Sequence, residues 1–147
     1  MNNKMKLTFD SLSINESFAR ATVAAFVASL NPTLDEITDI KTAVSEAVTN
    51  CVVHAYPNSI GEITITVTLC QNEVYITVCD NGVGIEDFER ARQPFYTTKL
   101  NDDRSGMGFT VMESFMDKIE LEHNKKSGVM VKMQKKLGRV SFNIVEG

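Results

Sequence analysis

Hydrophobic and polar positions in the first part of the chain predict a strand followed by a helix. Residues 5–9 alternate between apolar and polar side chains, which is typical of a strand with one buried face. A capping box at 13–16 then predicts the start of a helix, and the Asn31-Pro32 pair predicts its end. The predicted buried face of this helix consists of apolar residues three or four positions apart, namely Ile14, Phe18, Ala21, Ala25 and Phe26.

A second helix is predicted between another capping box at 33–36 and the turn residues 56–58. Its apolar stripe comprises Leu34, Ile37, Ile40, Val44, Ala47, Val48 and Cys51. The period then falls to two, and residues 63–69 and 74–79 each alternate apolar with polar side chains. These two runs predict a β-hairpin with one buried face.

The remaining sequence predicts shorter elements around a long polar stretch. These are a turn at 80–85, a short helix at 86–92, a polar loop at 93–106, a helix at 107–117 and a strand pair at 118–124 and 128–136. A polar loop of that length in a small domain is usually functional. The element order predicts an α+β fold, a two-layer α/β sandwich with helices on one face of a mixed sheet.

Composition and charge narrow the class of protein. The 147 residues suit one domain, and 15 basic against 19 acidic side chains give a net charge of −4, which argues against a nucleic-acid partner. The longest apolar run, Val23 to Ala28, is too short to span a membrane. The first residues show no secretory signal, and three cysteines without metal-type spacing suggest reduced thiols. We therefore expect a cytoplasmic protein.

Three polar side chains recur every fourth residue on the second predicted helix: Glu46, Asn50 and His54. Four residues advance a helix by slightly more than one turn, so the three form one polar stripe beside the apolar one. A solvated helix face explains such a stripe equally well. An asparagine in the middle of a helix is unfavourable, however, and the stripe could bind a metal ion or position water.

Glycines mark two further candidate sites. Asp80-Asn81-Gly82-Val83-Gly84 follows a buried strand, where a carboxylate could accept a hydrogen bond from a ligand amine, although a tight turn is the simpler reading. The run 104–109 leads from the polar loop into a helix, whose free N–H groups suit a phosphate. Candidate phosphate ligands in and before this run are Thr97, Thr98, Lys99 and Arg104. Neither run is a dinucleotide fingerprint or a P-loop.

The order of these motifs resembles the GHKL nucleotide-binding superfamily. The matching motifs are Glu46-x-x-x-Asn50, Asp80-x-Gly82-x-Gly84, Pro94-Phe95 and Gly106-x-Gly108. The runs 45–50, 91–94 and 104–110 are similar, within that superfamily, to the anti-sigma factor serine kinases. The resemblance implies a single GHKL (Bergerat) ATPase domain over 1–147 with an ATP lid at 93–106.

The resemblance also implies roles for matching residues. Glu46 would be the general base, Asn50 would bind Mg²⁺, and Asp80 would accept from the adenine amine. The other residues implied around ATP or ADP are Gly82, Gly84, Thr98, Lys99, Arg104, Ser105, Gly106, Gly108 and Phe109. Two departures stand out: Ala55 follows His54 where the family usually has glycine, and Gly128-Val129-Met130 replaces a Gly-Thr-Thr run whose threonine supports the adenine.

The function implied is that of an anti-sigma factor. Such a protein sequesters a sporulation sigma factor as a homodimer and uses Mg-ATP to phosphorylate a serine of an anti-anti-sigma partner. Glu16 and Arg20, four residues apart on the first predicted helix, are either a docking edge for these partners or a solvated ion pair. The alternative function is a catalytically weak, nucleotide-sensing clamp that only binds the sigma factor.

Overall fold

Eight helices and strands make up the part of the chain that the structure, a computed structural model, describes: residues 2–84, 108–124 and 127–138. They are β1 (Asn2–Asp10), α1 (Asn15–Val27), α2 (Leu34–Asn50), β2 (Glu62–Cys70), β3 (Glu73–Asp80), α3 (Gly108–Phe115), β4 (Lys118–His123) and β5 (Val129–Lys136). A 3₁₀ turn, Ala28–Leu30, follows α1, and a π-helical turn, Cys51–Ala55, extends α2. The helix predicted at 86–92 and the loop at 93–106 lie outside the described residues.

The strands form one five-stranded sheet in the order β1-β2-β3-β5-β4. All four strand pairings in the described residues are antiparallel, so the expectation of a mixed sheet is wrong. The predicted hairpin is confirmed: Cys70 pairs with Glu73, and a two-residue turn with Gln71 at φ 56° joins β2 to β3. The closing pair β4–β5 is confirmed as well. Strand order depends on contacts between distant residues, which local periodicity does not reveal.

One hydrophobic core joins the sheet to the helices. The alternating apolar residues of the hairpin are buried as predicted, at Ile63, Ile65, Val67, Leu69, Val74, Ile76 and Val78. α2 is the central helix, because both α1 and α3 pack against it. The α+β two-layer architecture is therefore confirmed.

The central helix α2 follows its sequence pattern closely. Its capping box is present: the Glu36 N–H donates to Thr33 Oγ1 at 3.1 Å, and the Thr33 N–H donates to Glu36 Oε1 at 2.9 Å. The predicted stripe from Ile40 to Cys51 is buried. Leu34, also predicted in the stripe, is 84% exposed, because burial of α2 begins only after its first turn.

The buried face of α1 differs from the prediction. Its buried side chains are Ala19, Val23 and Val27, whereas Ile14 and Phe18 are 78% and 51% exposed. Ala21 and Ala25 are exposed too, and of the predicted set only Phe26 packs on the core. The reason is that α1 carries apolar residues at helical spacing on two sides, so periodicity alone does not select the packed side.

The predicted capping box at the start of α1 is also wrong. Ile14, not Ser13, precedes the first helical residue, and no side chain caps the helix. The Glu16 N–H instead donates to the Ser13 carbonyl at 3.1 Å, and the Asn15 N–H donates to the Leu12 carbonyl at 2.9 Å. These backbone turns satisfy the N–H groups that a serine cap would have served.

Candidate functional site

The polar stripe on α2 is present, and it ends in an irregular turn. Glu46 and Asn50 lie one turn apart on α2, and His54 lies in the π-helical turn that follows; all three are half-buried. That turn is closed by the Tyr56 N–H, which donates to the Cys51 carbonyl at 3.2 Å. π-helical turns within helices occur frequently at functional sites.

Asp80 is the buried polar residue at the centre of the site. It ends β3, opposite Ile63 of β2, and only 4% of it is exposed. Its Oδ1 accepts from two backbone N–H groups, those of Gly82 at 2.9 Å and Val129 at 3.2 Å. Its Oδ2 accepts from the Cys51 thiol at 3.4 Å. The carboxylate therefore links α2, the β3 exit and β5.

The segment before β5 is tied to the same place. Asn124 Nδ2 donates to the Asp80 carbonyl and to Asn81 Oδ1, both at 2.7 Å, and Ser127 Oγ donates to the Asn81 carbonyl at 2.9 Å. Gly128 has φ +89°, and a Cβ there would collide with the Asp80 carbonyl and carboxylate. Only glycine allows β5 to begin this close to Asp80.

The two glycines after Asp80 have different tasks. Gly82 packs on the π-helical turn, where a Cβ would collide with the carbonyl and methyl of Ala55. The Val83 N–H donates to that carbonyl at 3.0 Å. Gly84 has φ +82°, and a Cβ there would make only ordinary contacts with Gly128 at 3.7 Å and beyond, so its requirement for glycine is conformational. The methyl group of Ala55, a departure from the family pattern, is thus buried against Gly82.

Tyr56 closes the far side of this loop. Its hydroxyl accepts from the Asn81 N–H at 2.7 Å and donates to the Glu62 carbonyl at 2.8 Å. Burial raises the pKa of this phenol, with a smaller contribution from the charge of Asp80. The hydroxyl thus stays protonated and continues to bridge β2 to the loop.

Several predicted phosphate ligands fall outside the described residues: Thr98, Lys99, Arg104, Ser105 and Gly106. Gly108 begins α3, as the motif predicts, and Phe109 follows it in the first turn. The Phe109 side chain is 8% exposed and belongs to the hydrophobic core, so any contact with a ligand falls to its backbone.

Glu16 and Arg20 form the predicted i,i+4 ion pair on α1, with a nitrogen–oxygen distance of 3.8 Å. Arg20 also donates to Ser45 Oγ of α2 at 3.4 Å. A shallow cavity of about 260 Å³ opens beside this contact and is lined by Arg20, Thr38, Lys41, Thr42 and Ser45. The cleft between α1 and α2 is thus lined with two cations and three hydroxyls.

The sequence motifs do not identify four residues that build the site: Cys51, Tyr56, Asn124 and Gly128. Cys51 belongs to the predicted apolar stripe, which conceals its contact with Asp80. Asn124 and Gly128 lie more than 40 residues from Asp80 along the chain. The Gly128-Val129-Met130 departure is the one sequence signal that pointed to this segment.

A protein-family model, described as a histidine kinase-like ATPase domain, matches residues 12–135. The chain belongs to this family. The match covers both the α2 stripe and the Asp80 loop, and it confirms the resemblance to the GHKL superfamily. Since the family is one of ATPase domains, nucleotide binding is implied for the fold.

Curated relatives match nearly the whole chain. The Anti-sigma F factor of Caldanaerobacter subterraneus subsp. tengcongensis is 58% identical over 138 residues, which cover 94% of this chain and 96% of that relative. The Anti-sigma F factor of Bacillus subtilis is 52% identical over 140 residues, which cover 95% and 96%. The predicted resemblance to anti-sigma factors is therefore confirmed.

Solved structures share the fold. The crystal structure of the RsbU and RsbW domains of Rv1364c from Mycobacterium tuberculosis has a TM-score of 0.65 at 19% identity, covering 92% of this chain and 32% of that one. The catalytic domain of histidine kinase ThkA has a TM-score of 0.58 at 21% identity, covering 90% and 96%. None of the helices within 2–84 and 108–124 has both the length and the hydropathy of a membrane-spanning segment.

Proposed function

We propose that this chain is a protein serine kinase that uses Mg-ATP to phosphorylate a serine of an anti-anti-sigma partner, and that it separately sequesters a sporulation sigma factor. The observation that carries the proposal is the buried Asp80 carboxylate. Its Oδ2 accepts only one weak donor, a thiol, from the described residues. Such an oxygen is costly to bury unless a ligand completes its hydrogen bonds, and the adenine amine is a donor of that kind.

The proposed adenine site consists of Asp80, Gly82 and Gly84. It belongs to a single ATP-binding domain that spans residues 1–147. Oδ1 is saturated by two backbone N–H groups, so Oδ2 is the oxygen left to accept from a base. A nucleotide with an exocyclic amine fits this arrangement, whereas one with a carbonyl at the same position would face the carboxylate with a second acceptor.

Glu46 and Asn50 act on the phosphates and on the substrate serine. Glu46 accepts the proton of the serine hydroxyl as that oxygen attacks the terminal phosphorus, while ADP leaves. The amide oxygen of Asn50 is a hard ligand suited to Mg²⁺, which would neutralise phosphate charge when bound. Mg²⁺ is usually bound by one or two protein ligands plus substrate phosphates, so a cluster of carboxylates is not required.

The lid over the phosphates is assigned to 93–106. Thr98, Lys99, Arg104, Ser105 and Gly106 are proposed to surround the phosphate oxygens. Gly108 and Phe109 contribute from the first turn of α3, where N–H groups without a helical partner favour an anion. The burial of the Phe109 side chain supports a backbone contact there.

Phosphate transfer from labelled ATP to a co-purified anti-anti-sigma partner tests the catalytic part. The wild type should label one serine, and Glu46→Gln should slow labelling by about 100-fold or more, the usual contribution of general-base catalysis. ATP affinity should be retained in that variant. Glu120→Gln, an exposed change on β4, is the matched control and should label normally. Normal labelling by Glu46→Gln would refute the role of Glu46.

Calorimetric titration with ATP tests the adenine part. Asp80→Asn removes the charge that faces the amine, and hydrogen bonds to charged groups contribute about 1.5–3 kcal/mol. We therefore expect affinity to fall by about 10-fold or more. Asp35→Asn, on the exposed first turn of α2, is the control. An unchanged affinity of Asp80→Asn would rule out the adenine assignment.

The α1–α2 cleft is proposed as a docking edge for the sigma factor and the serine substrate. Glu16 and Arg20 border it, and Ser45, which accepts from Arg20, directly precedes Glu46 in α2. A partner bound there would lie near the proposed base. Arg20→Glu should weaken both complexes in pull-down titrations, while Lys118→Glu on β4 should leave them unchanged; intact complexes with Arg20→Glu would dismiss the edge.

The active form is proposed to be a cytoplasmic homodimer, which light scattering would report as twice the chain mass. The alternative function, a clamp that binds nucleotide and sigma factor without catalysis, is favoured by the two departures from the family pattern at Ala55 and Met130. ATP binding without labelling of any partner serine would select the clamp.

A further inference from the structure

Cys51 is the one side chain of the described residues that donates a hydrogen bond to the Asp80 carboxylate. It lies at the first position of the π-helical turn after α2, and only 4% of it is exposed. Its Sγ is 3.4 Å from Asp80 Oδ2. The other two donors are the backbone N–H groups of Gly82 and Val129, and both bind Oδ1.

This division of donors fixes the orientation of the carboxylate. Two N–H groups hold Oδ1, and the thiol holds Oδ2 from the side of α2. A carboxylate oxygen has two lone pairs, so Oδ2 keeps one for a further donor. Without Cys51, no described side chain would restrain Oδ2.

The thiol is suited to this task because it stays protonated. Burial raises the pKa of Cys51 well above its ordinary value, and the negative charge of Asp80 raises it further. A protonated thiol is a donor, whereas a thiolate beside the carboxylate would repel it. Cys51 therefore donates to Oδ2 throughout the neutral pH range.

We propose that Cys51 is a positioning residue for the nucleotide base: its S–H orients Asp80 Oδ2 so that the remaining lone pair accepts from an exocyclic amine. This inference rests on the adenine site of the proposed function. Val129 and Met130 of β5 have no hydroxyl and cannot donate a side-chain hydrogen bond to Asp80. In this chain the Cys51 thiol supplies that donor from the turn after α2. Cys51 thus contributes to selectivity for amine-bearing purines through Asp80, without contacting the base itself.

Base selectivity separates positioning from a merely structural role. We compare the calorimetric affinities of ATP and of purine riboside triphosphate, which lacks the amine, for the wild type, Cys51→Ala and Cys51→Ser. Cys51→Ala should weaken ATP by about three- to tenfold, the effect of losing a hydrogen bond, and should change the analogue by less than about twofold. Cys51→Ser keeps a donor and should restore most of the preference for ATP. The control is Cys79→Ala, which removes a half-buried thiol one residue from Asp80 and should behave as the wild type.

The S–H stretching band in the infrared spectrum reports the contact without any nucleotide. The difference spectrum between the wild type and Cys51→Ala isolates this thiol, whose band should lie at the low frequency of a hydrogen-bonded S–H. It should move to higher frequency in Asp80→Ala. A free-thiol band, or equal losses for ATP and the analogue in Cys51→Ala, would overturn the positioning role while leaving ATP binding intact. A wild type that binds neither nucleotide would instead overturn the adenine site, and the positioning role with it.

Discussion

Gly128→Ala is the substitution whose effect the structure defines most sharply. Gly128 has φ +89°, a conformation that L side chains rarely adopt. A Cβ at this position would also collide with the carbonyl and the Oδ1 of Asp80. The variant therefore combines backbone strain at Gly128 with a steric clash against Asp80, the residue on which the proposed adenine site depends.

Two other glycines separate these contributions. Gly84 has φ +82°, but its added Cβ would meet only Gly128 atoms at 3.7 Å and beyond, so Gly84→Ala introduces strain alone. At Gly138 the backbone is not strained, and the Cβ would lie an ordinary 3.6 Å from Glu36 Oε2. Left-handed strain costs about 1–2 kcal/mol and overpacking about 1–3 kcal/mol, and alanine recovers about 0.4–1 kcal/mol through the unfolded state. We expect losses of about 2–4 kcal/mol for Gly128→Ala and about 1 kcal/mol for Gly84→Ala, and no loss for Gly138→Ala.

Urea unfolding followed by far-ultraviolet circular dichroism measures the three free energies of unfolding under one protocol. The expected order of stability is Gly138→Ala, then Gly84→Ala, then Gly128→Ala. A Gly128→Ala variant as stable as Gly84→Ala would show that β5 does not begin against Asp80. It would thereby refute the site geometry in which Val129 and Cys51 donate hydrogen bonds to the Asp80 carboxylate.

Three further outcomes follow from the core, the cap of α2 and the buried thiol. Ile65→Ala, at a fully buried position of β2, should lower the free energy of unfolding by about 2–5 kcal/mol in the same urea assay, and a loss below 1 kcal/mol would contradict its burial. Thr33→Ala should cost about 1 kcal/mol by removing the cap from the Glu36 N–H, whereas Thr42→Ala, within α2, should cost less. Because the folded state holds the Cys51 pKa above its ordinary 9.0, the unfolded chain ionises first, so stability is complete below that pH and falls as pH rises past it. Cys51→Ser should flatten this alkaline decline, and an unchanged slope would exclude the thiol as its source.

The hairpin and α2 could be predicted because each has one dominant periodicity. In β2 the alternating isoleucine and threonine residues leave one possible buried face, and in α2 the capping box defines the start independently of the apolar stripe. Local sequence and tertiary packing agree in these elements. The polar stripe of α2 and the turn that follows the hairpin at Asp80 therefore lie where the sequence predicts them.

The buried face of α1 could not be predicted for a physical reason. Phe18 and Val23 belong to opposite apolar sides of the same helix, and only contact with α2 decides that Val23 is buried. The cap failed similarly, since Ser13 resembles a cap in sequence but backbone turns already satisfy the nearby N–H groups. An antiparallel sheet order likewise depends on long-range pairing, such as that of β3 with β5.

The candidate site was predicted in part. Asp80, Gly82 and the α2 stripe stand out because carboxylate, glycine and mid-helix asparagine are unusual in those settings. Cys51 did not stand out, because a cysteine in an apolar stripe is normally a small hydrophobic residue. Its polar role emerges only when folding brings it to Asp80, 29 residues further along the chain.

A crystal structure of this chain grown with Mg-ATP is the most direct measurement of the central claim. The account predicts the adenine amine within hydrogen-bonding distance of Asp80 Oδ2, with the Cys51 thiol still bound to the same oxygen and the phosphates extending towards Asn50 and the start of α3. A nucleotide bound elsewhere, or an Asp80 carboxylate enclosed entirely by protein side chains at saturating Mg-ATP, would contradict it.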